Sequence, residues 1–80
     1  MSNLDIYKSV FVESLQVPSE NLNEDLEYNS IPEWDSIGHM SLISNLEEKF
    51  NITFETDDII DFSSFKKGKE ILTNKYKISF

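Results

Sequence analysis

Eighty residues with fifteen acids, seven bases and no cysteine describe one small domain, residues 1–80, with room for a single core and none for a deep enclosed active-site cleft. The lack of cysteine excludes a disulfide framework and thiolate metal ligation, and a lone histidine, His39, excludes a histidine cluster, so no metal site is expected. A formal net charge of −8 disfavours nucleic acid and anionic membranes as partners and favours a basic protein surface.

The charge is unevenly placed. Residues 1–65 hold fourteen acids against two lysines, whereas residues 66–80 hold Glu70 against five lysines, so an acidic body carries a basic tail. A merely solubilising surface and a docking surface account for this equally well. Met1 to Val12 includes Asp5 and Lys8 and lacks both a basic leader and an unbroken apolar stretch. Neither a signal peptide nor a membrane span is expected, and the reading is cytoplasmic.

The first helix is predicted over Ser2 to Leu15, where Leu4, Tyr7, Val10, Phe11 and Leu15 form a stripe and Ser2 with Asp5 matches a capping box. Val17-Pro18-Ser19 stops it, because proline cannot continue the hydrogen-bond ladder. From Pro18 to Trp34 runs a connection too long for a compact domain unless it packs. Leu22, Leu26, Tyr28 and Ile31 are spaced along it, so it reads as an irregular strap with one short turn near Ser19 to Leu22. It is long enough to join helices running parallel or antiparallel.

The second helix, Ser36 to Phe50, rests on Ile37, Met40, Ile43, Leu46 and Phe50, with Leu42 widening the stripe. Pro32 pushes Ile31 toward an extended conformation, Asp35 and Ser36 are both cap-type residues, and Asn51 suits a left-handed C-cap. On a helical wheel, Met40, Leu42, Ile43, Leu46 and Phe50 share a sector opposite Gly38, Ser41, Asn45, Glu48 and Lys49, with Ile37 at the border. Asn51 to Glu55 reads as an extended connection tucking Ile52 and Phe54 inward, since a lone strand has nothing to pair with. Thr56 to Ile60 is a short third helix with Thr56 as its cap and Asp57 and Asp58 in the first turn. Asp61-Phe62-Ser63-Ser64 leads into a fourth, with Phe65, Ile71, Leu72 and Tyr76 inward and Lys66, Lys67 and Lys69 outward. Gly68 there signals close packing or simple tolerance. The fold class is all-α, a small four-helix bundle with a long first loop and a short third helix.

Chemistry concentrates at Ser36. Asp35, Ser36 and His39 supply the residue types of a hydrolytic triad, but Asp35 sits beside the serine rather than behind the imidazole, and the wheel turns His39 into the apolar sector. No glycine-rich turn offers an oxyanion hole. His39 reads as a packed or hydrogen-bonded helix residue, and the protein as no enzyme. An alcohol without an internal base reacts only when an outside enzyme drives it. At a helix N-terminus, with its partial positive charge and free amides, an attached phosphate ester would be stabilised. The alternative is an acidic helical interaction module in which Ser36 is only a helix cap.

Trp34-Asp35-Ser36-Ile37-Gly38-His39-Met40, followed by Leu46-Glu47-Glu48-Lys49-Phe50-Asn51-Ile52, resembles the acyl carrier protein family, whose signature is Asp-Ser and an aliphatic residue at the start of the second helix. The resemblance runs from the first helix to about Tyr76 and takes in the long first loop, Asp57-Asp58 and Phe62-Ser63-Ser64-Phe65. It implies that a magnesium-dependent phosphopantetheinyl transferase esterifies Ser36 with 4′-phosphopantetheine from coenzyme A, with Asp35 assisting recognition. The arm would then carry acyl or aminoacyl groups as thioesters, between a loading ligase and downstream transferases with basic docking patches. Ile37, Met40, Glu47, Glu48, Asp57 and Asp58 are the implied partner-contacting residues, on a freestanding monomer. Met40, Ile43, Leu46, Phe50, Ile59 and Ile60 are the interior expected to shelter part of the cargo. Gly38, His39 and Ser41 stand where carriers of fatty acid synthesis often place acidic or neutral residues, so the start of the second helix carries little negative charge. With the Ile31-Pro32-Glu33-Trp34 approach, that resembles specialised carriers more than those of the general fatty acid synthase, so the implied setting is a specialised biosynthetic pathway or fatty acid or polyketide synthesis.

Overall fold

A computed structural model describes residues 2–80. Among the described residues four α-helices follow one another, α1 (Asn3–Leu15), α2 (Ser36–Phe50), α3 (Thr56–Asp61) and α4 (Phe65–Tyr76), with a 3-10 turn at Ser19–Asn21. The described residues contain no strand, only an isolated antiparallel bridge between Glu27 and Ser64, so the all-α class holds.

The helix ends follow their local chemistry. Ser2 Oγ accepts from the Asp5 amide at 3.1 Å to cap α1. Gln16 leaves the helix in a left-handed conformation two residues before Pro18. Asn51, with φ 55°, closes α2 in the left-handed geometry that asparagine tolerates. One cap differs from expectation. Thr56 is the first helical residue of α3 and Glu55 is the N-cap, without a side-chain bond. The preceding segment is tied down by Phe54 N donating to Glu47 Oε2 at 2.8 Å and Glu55 N donating to Tyr76 Oη at 3.0 Å, which places Glu55 at the boundary.

The core is rich in aromatic rings. Tyr7, Phe11, Trp34, Phe62 and Phe65 are buried with Leu42, Ile43, Leu46 and Leu72, and Phe11 meets Trp34 and Phe65 edge-on at 5.4 and 5.1 Å, an arrangement the ring quadrupoles favour. Gly68 is a packing requirement, because a Cβ there would run into the Phe62 ring and the Tyr7 hydroxyl. That hydroxyl donates to the Phe65 carbonyl at 2.7 Å, and burial pushes the Tyr7 phenol well above its ordinary value. The strap packs as its apolar spacing requires: Leu22 and Leu26 are buried, Tyr28 and Ile31 half-buried. Its backbone ties to the start of α4 through Phe65 N to Leu26 O and Tyr28 N to Ser63 O, both 2.9 Å.

Three residues sit otherwise than the sequence suggests. Met40 and Ile60 are 56% and 72% exposed, not interior, and Asp58 is only 1% exposed. Met40 lies about 100° from the centre of the stripe drawn by Leu42, Ile43, Leu46 and Phe50, and His39 occupies that centre instead. On α3 the inward position belongs to Asp58, which turns Ile60 to solvent.

Asp58 is inside because its charge is matched. Oδ1 accepts from Lys75 Nζ at 2.6 Å and Oδ2 from Tyr76 Oη at 2.7 Å. These bonds hold the carboxyl below its usual range, against the opposing effect of burial. A depressed folded-state pKa means stability that is fully present above the unfolded value, about 4, and lost as pH falls through the folded value. Lys75 is half exposed, so water screens its share. Asp58→Asn is expected to cost about 1–2 kcal/mol at neutral pH. Urea unfolding at pH 7 and pH 3 checks it: the gap between variant and parent must narrow at the lower pH, and an undiminished gap would refute the assignment.

Candidate functional site

The site begins two residues before the second helix, at a fixed indole. Trp34 is fully buried and its Nε1–H donates to His39 Nδ1 at 3.0 Å. That bond assigns the other imidazole nitrogen as the protonated one, and His39 Nε2–H donates to the Ile59 carbonyl at 2.9 Å. The two rings lie nearly parallel, with centroids 6.2 Å apart. Trp34 and His39 thus join the approach loop, α2 and α3 in one relay.

From this anchor the chain turns into the helix. Asp35 is extended and its Oδ1 accepts from the Gly38 amide at 2.8 Å, while its carbonyl accepts from His39 N at 2.8 Å. The cap is therefore Asp35 and not Ser36. Gly38 is needed for close approach, since a Cβ there would collide with the Glu33 carbonyl. Ser36 is the first helical residue and is exposed. Its hydroxyl takes no part in capping, and its side-chain neighbour is the Tyr28 hydroxyl at 3.1 Å.

Asp35, Ser36 and His39 form no catalytic relay. Both imidazole nitrogens are engaged elsewhere and the Asp35 carboxylate faces an amide, so no base meets the serine. Beside it, Tyr28, His39, Ile59, Ile60, Phe62 and Ser63 line a shallow hollow of about 240 Å³.

Of the partner-contact residues, Ile37 is 81% exposed and Met40 is also open, lying one turn apart beside Ser36. Glu48 and Asp57 are exposed. Glu47 is half-buried and has one oxygen committed to the Phe54 amide. Asp58 is corrected: it is sealed under Lys75 and Tyr76 and presents no charge to a partner. Sequence reasoning missed Tyr28, which it placed as one more apolar point on the strap. Nothing in its spacing announces a bond to a serine eight residues on, across an irregular loop. Among the described residues, no helix is long and apolar enough to cross a membrane.

Compared with models of known protein families, the chain matches none, and a search of curated proteins finds no match either.

Proposed function

We propose that the chain is a carrier protein of the acyl carrier type, made functional when an outside transferase attaches 4′-phosphopantetheine to Ser36. The observation that carries this is an exposed serine hydroxyl at the first turn of α2 which Asp35 has relieved of capping. The residues present suit the group. Ser36 Oγ supplies the ester oxygen, and the amides of Ser36 and Ile37 belong to a first turn where intrahelical bonds are lacking and negative charge is favoured. In the transfer, Ser36 Oγ attacks the pyrophosphate phosphorus of coenzyme A that bears the pantetheine. The phosphorus bond to the departing oxygen breaks, adenosine 3′,5′-bisphosphate leaves with the electron pair, and a base on the transferase takes the serine proton. The attached group supplies a thiol, which carries acyl or aminoacyl cargo as a thioester.

The protein's own contribution is display and recognition. Exposed Ile37 and Met40 flank the serine, and Glu48 and Asp57 offer charge to basic patches on the transferase, the loading ligase and later transferases. Gly38 lies under the Glu33 carbonyl and His39 is tied to Trp34 and Ile59, so the start of α2 shows partners a neutral, partly apolar face. That face favours a specialised pathway over general fatty acid synthesis, with the carrier acting as a cytoplasmic monomer.

Incubation with coenzyme A, magnesium and a promiscuous phosphopantetheinyl transferase, followed by intact mass measurement, tests the reading. One added phosphopantetheine is the expected result. A parent that stays unmodified favours the acidic interaction module instead.

A further inference from the structure

We propose that Tyr28 is a positioning residue for the reaction at Ser36, acting through the hydroxyl that lies 3.1 Å from Oγ; this rests on the carrier reading above. The phenol has the fixed placement such a role needs. Its backbone N–H donates to the Ser63 carbonyl at 2.9 Å. Its ring stands edge-on to His39 at 5.3 Å and to Trp34 at 6.5 Å, the two rings joined by the relay. The next residue, Asn29, turns the chain with φ 68° and its amide donates to the Trp34 carbonyl at 2.9 Å. The Tyr28 hydroxyl is therefore held in register with the start of α2 through both backbone and ring.

Ser36 is the opposite case. An exposed serine samples three staggered rotamers, and the phenol is the side chain that selects among them. In the free protein either oxygen can donate. For attack, the productive arrangement has Tyr28 O–H donating to one Oγ lone pair, which leaves the serine proton facing the transferase's base and a second lone pair facing phosphorus. Oγ then bonds to phosphorus, the bond to the departing oxygen breaks, adenosine 3′,5′-bisphosphate leaves with that electron pair, and the proton passes to the transferase. The product ester oxygen has no proton to give. Tyr28 is then a donor only, and the non-bridging oxygens, two bonds beyond Oγ on the phosphorus, are stronger acceptors for the same hydroxyl. The tyrosine thus orients the nucleophile before transfer and is the donor offered to the phosphodiester after it.

Tyr28→Phe keeps the ring against His39 and Trp34 and removes only the hydroxyl, so its thermal unfolding should stay within a few degrees of the parent. Two measurements read the role: kcat and KM of both proteins as transferase substrates, and the 31P resonance of the purified modified forms. The expected result is a kcat lower by about three- to tenfold, the worth of one net hydrogen bond, with KM unchanged and the 31P resonance displaced. A bond that only ties the strap to α2 would shift the unfolding temperature and neither of these. Modification of Tyr28→Phe at the parental kcat with the resonance in its parental place overturns the proposal and leaves the carrier reading standing. A raised KM with unchanged kcat also overturns it, by assigning the hydroxyl to docking. A parent that gains no mass overturns both.

Discussion

Ser36→Ala is expected to abolish the mass increase completely while leaving stability within about 1 kcal/mol of the parent. The residue is exposed, caps nothing, and makes one surface hydrogen bond to Tyr28, so little native energy is at stake. Alanine also suits a first-turn helical position slightly better than serine, which offsets part of the lost bond. Asp35→Ala should behave in reverse. It removes the acceptor for the Gly38 amide and costs about 1 kcal/mol, yet keeps the hydroxyl and should still gain the group, more slowly if the transferase reads the carboxylate. Intact mass and urea unfolding of the two variants side by side measure this. If Ser36→Ala proved the more destabilising of the pair, the division of labour between cap and nucleophile would be wrong.

Trp34→Ala carries the largest expected loss of stability, about 3–5 kcal/mol. The indole is fully buried, touches Phe11 and Phe62 edge-on, and donates to His39. A domain of this size has about 4–12 kcal/mol in total, so the variant should be largely unfolded near body temperature. Trp34→Phe separates packing from polarity, since it refills much of the volume but leaves His39 Nδ1 without its donor. Its cost should be about 1–3 kcal/mol. Urea unfolding followed by circular dichroism reads both variants without relying on indole emission. A Trp34→Ala protein within 1 kcal/mol of the parent would mean that the approach loop does not depend on this anchor.

The features legible in the sequence are those fixed by neighbours a few residues away. Ser2, Pro18 and Asn51 mark helix ends through their own local chemistry, and Leu42, Ile43, Leu46 and Phe50 mark the inward face of α2 because its fifteen residues give four turns of repetition. The serine at the tip of α2 was visible for the same reason, although which of Asp35 and Ser36 caps was not, because both have the right chemistry. The six residues of α3 complete fewer than two turns, too few to define a face, so residue type alone puts Ile60 inside and Asp58 outside. Asp58 is buried by Lys75 and Tyr76, seventeen and eighteen residues away, and the Tyr28 to Ser36 and His39 to Ile59 bonds likewise join separate elements. Such pairings depend on how elements dock, which periodicity does not encode.

Because Trp34 is the chain's one tryptophan and is buried against the His39 imidazole, the protein has a built-in optical gauge at the start of α2. Any event that lets water reach the indole must move its fluorescence to longer wavelength. Opening of the approach loop or loosening of α2 from α3 can thus be followed in unlabelled protein by the colour of one side chain.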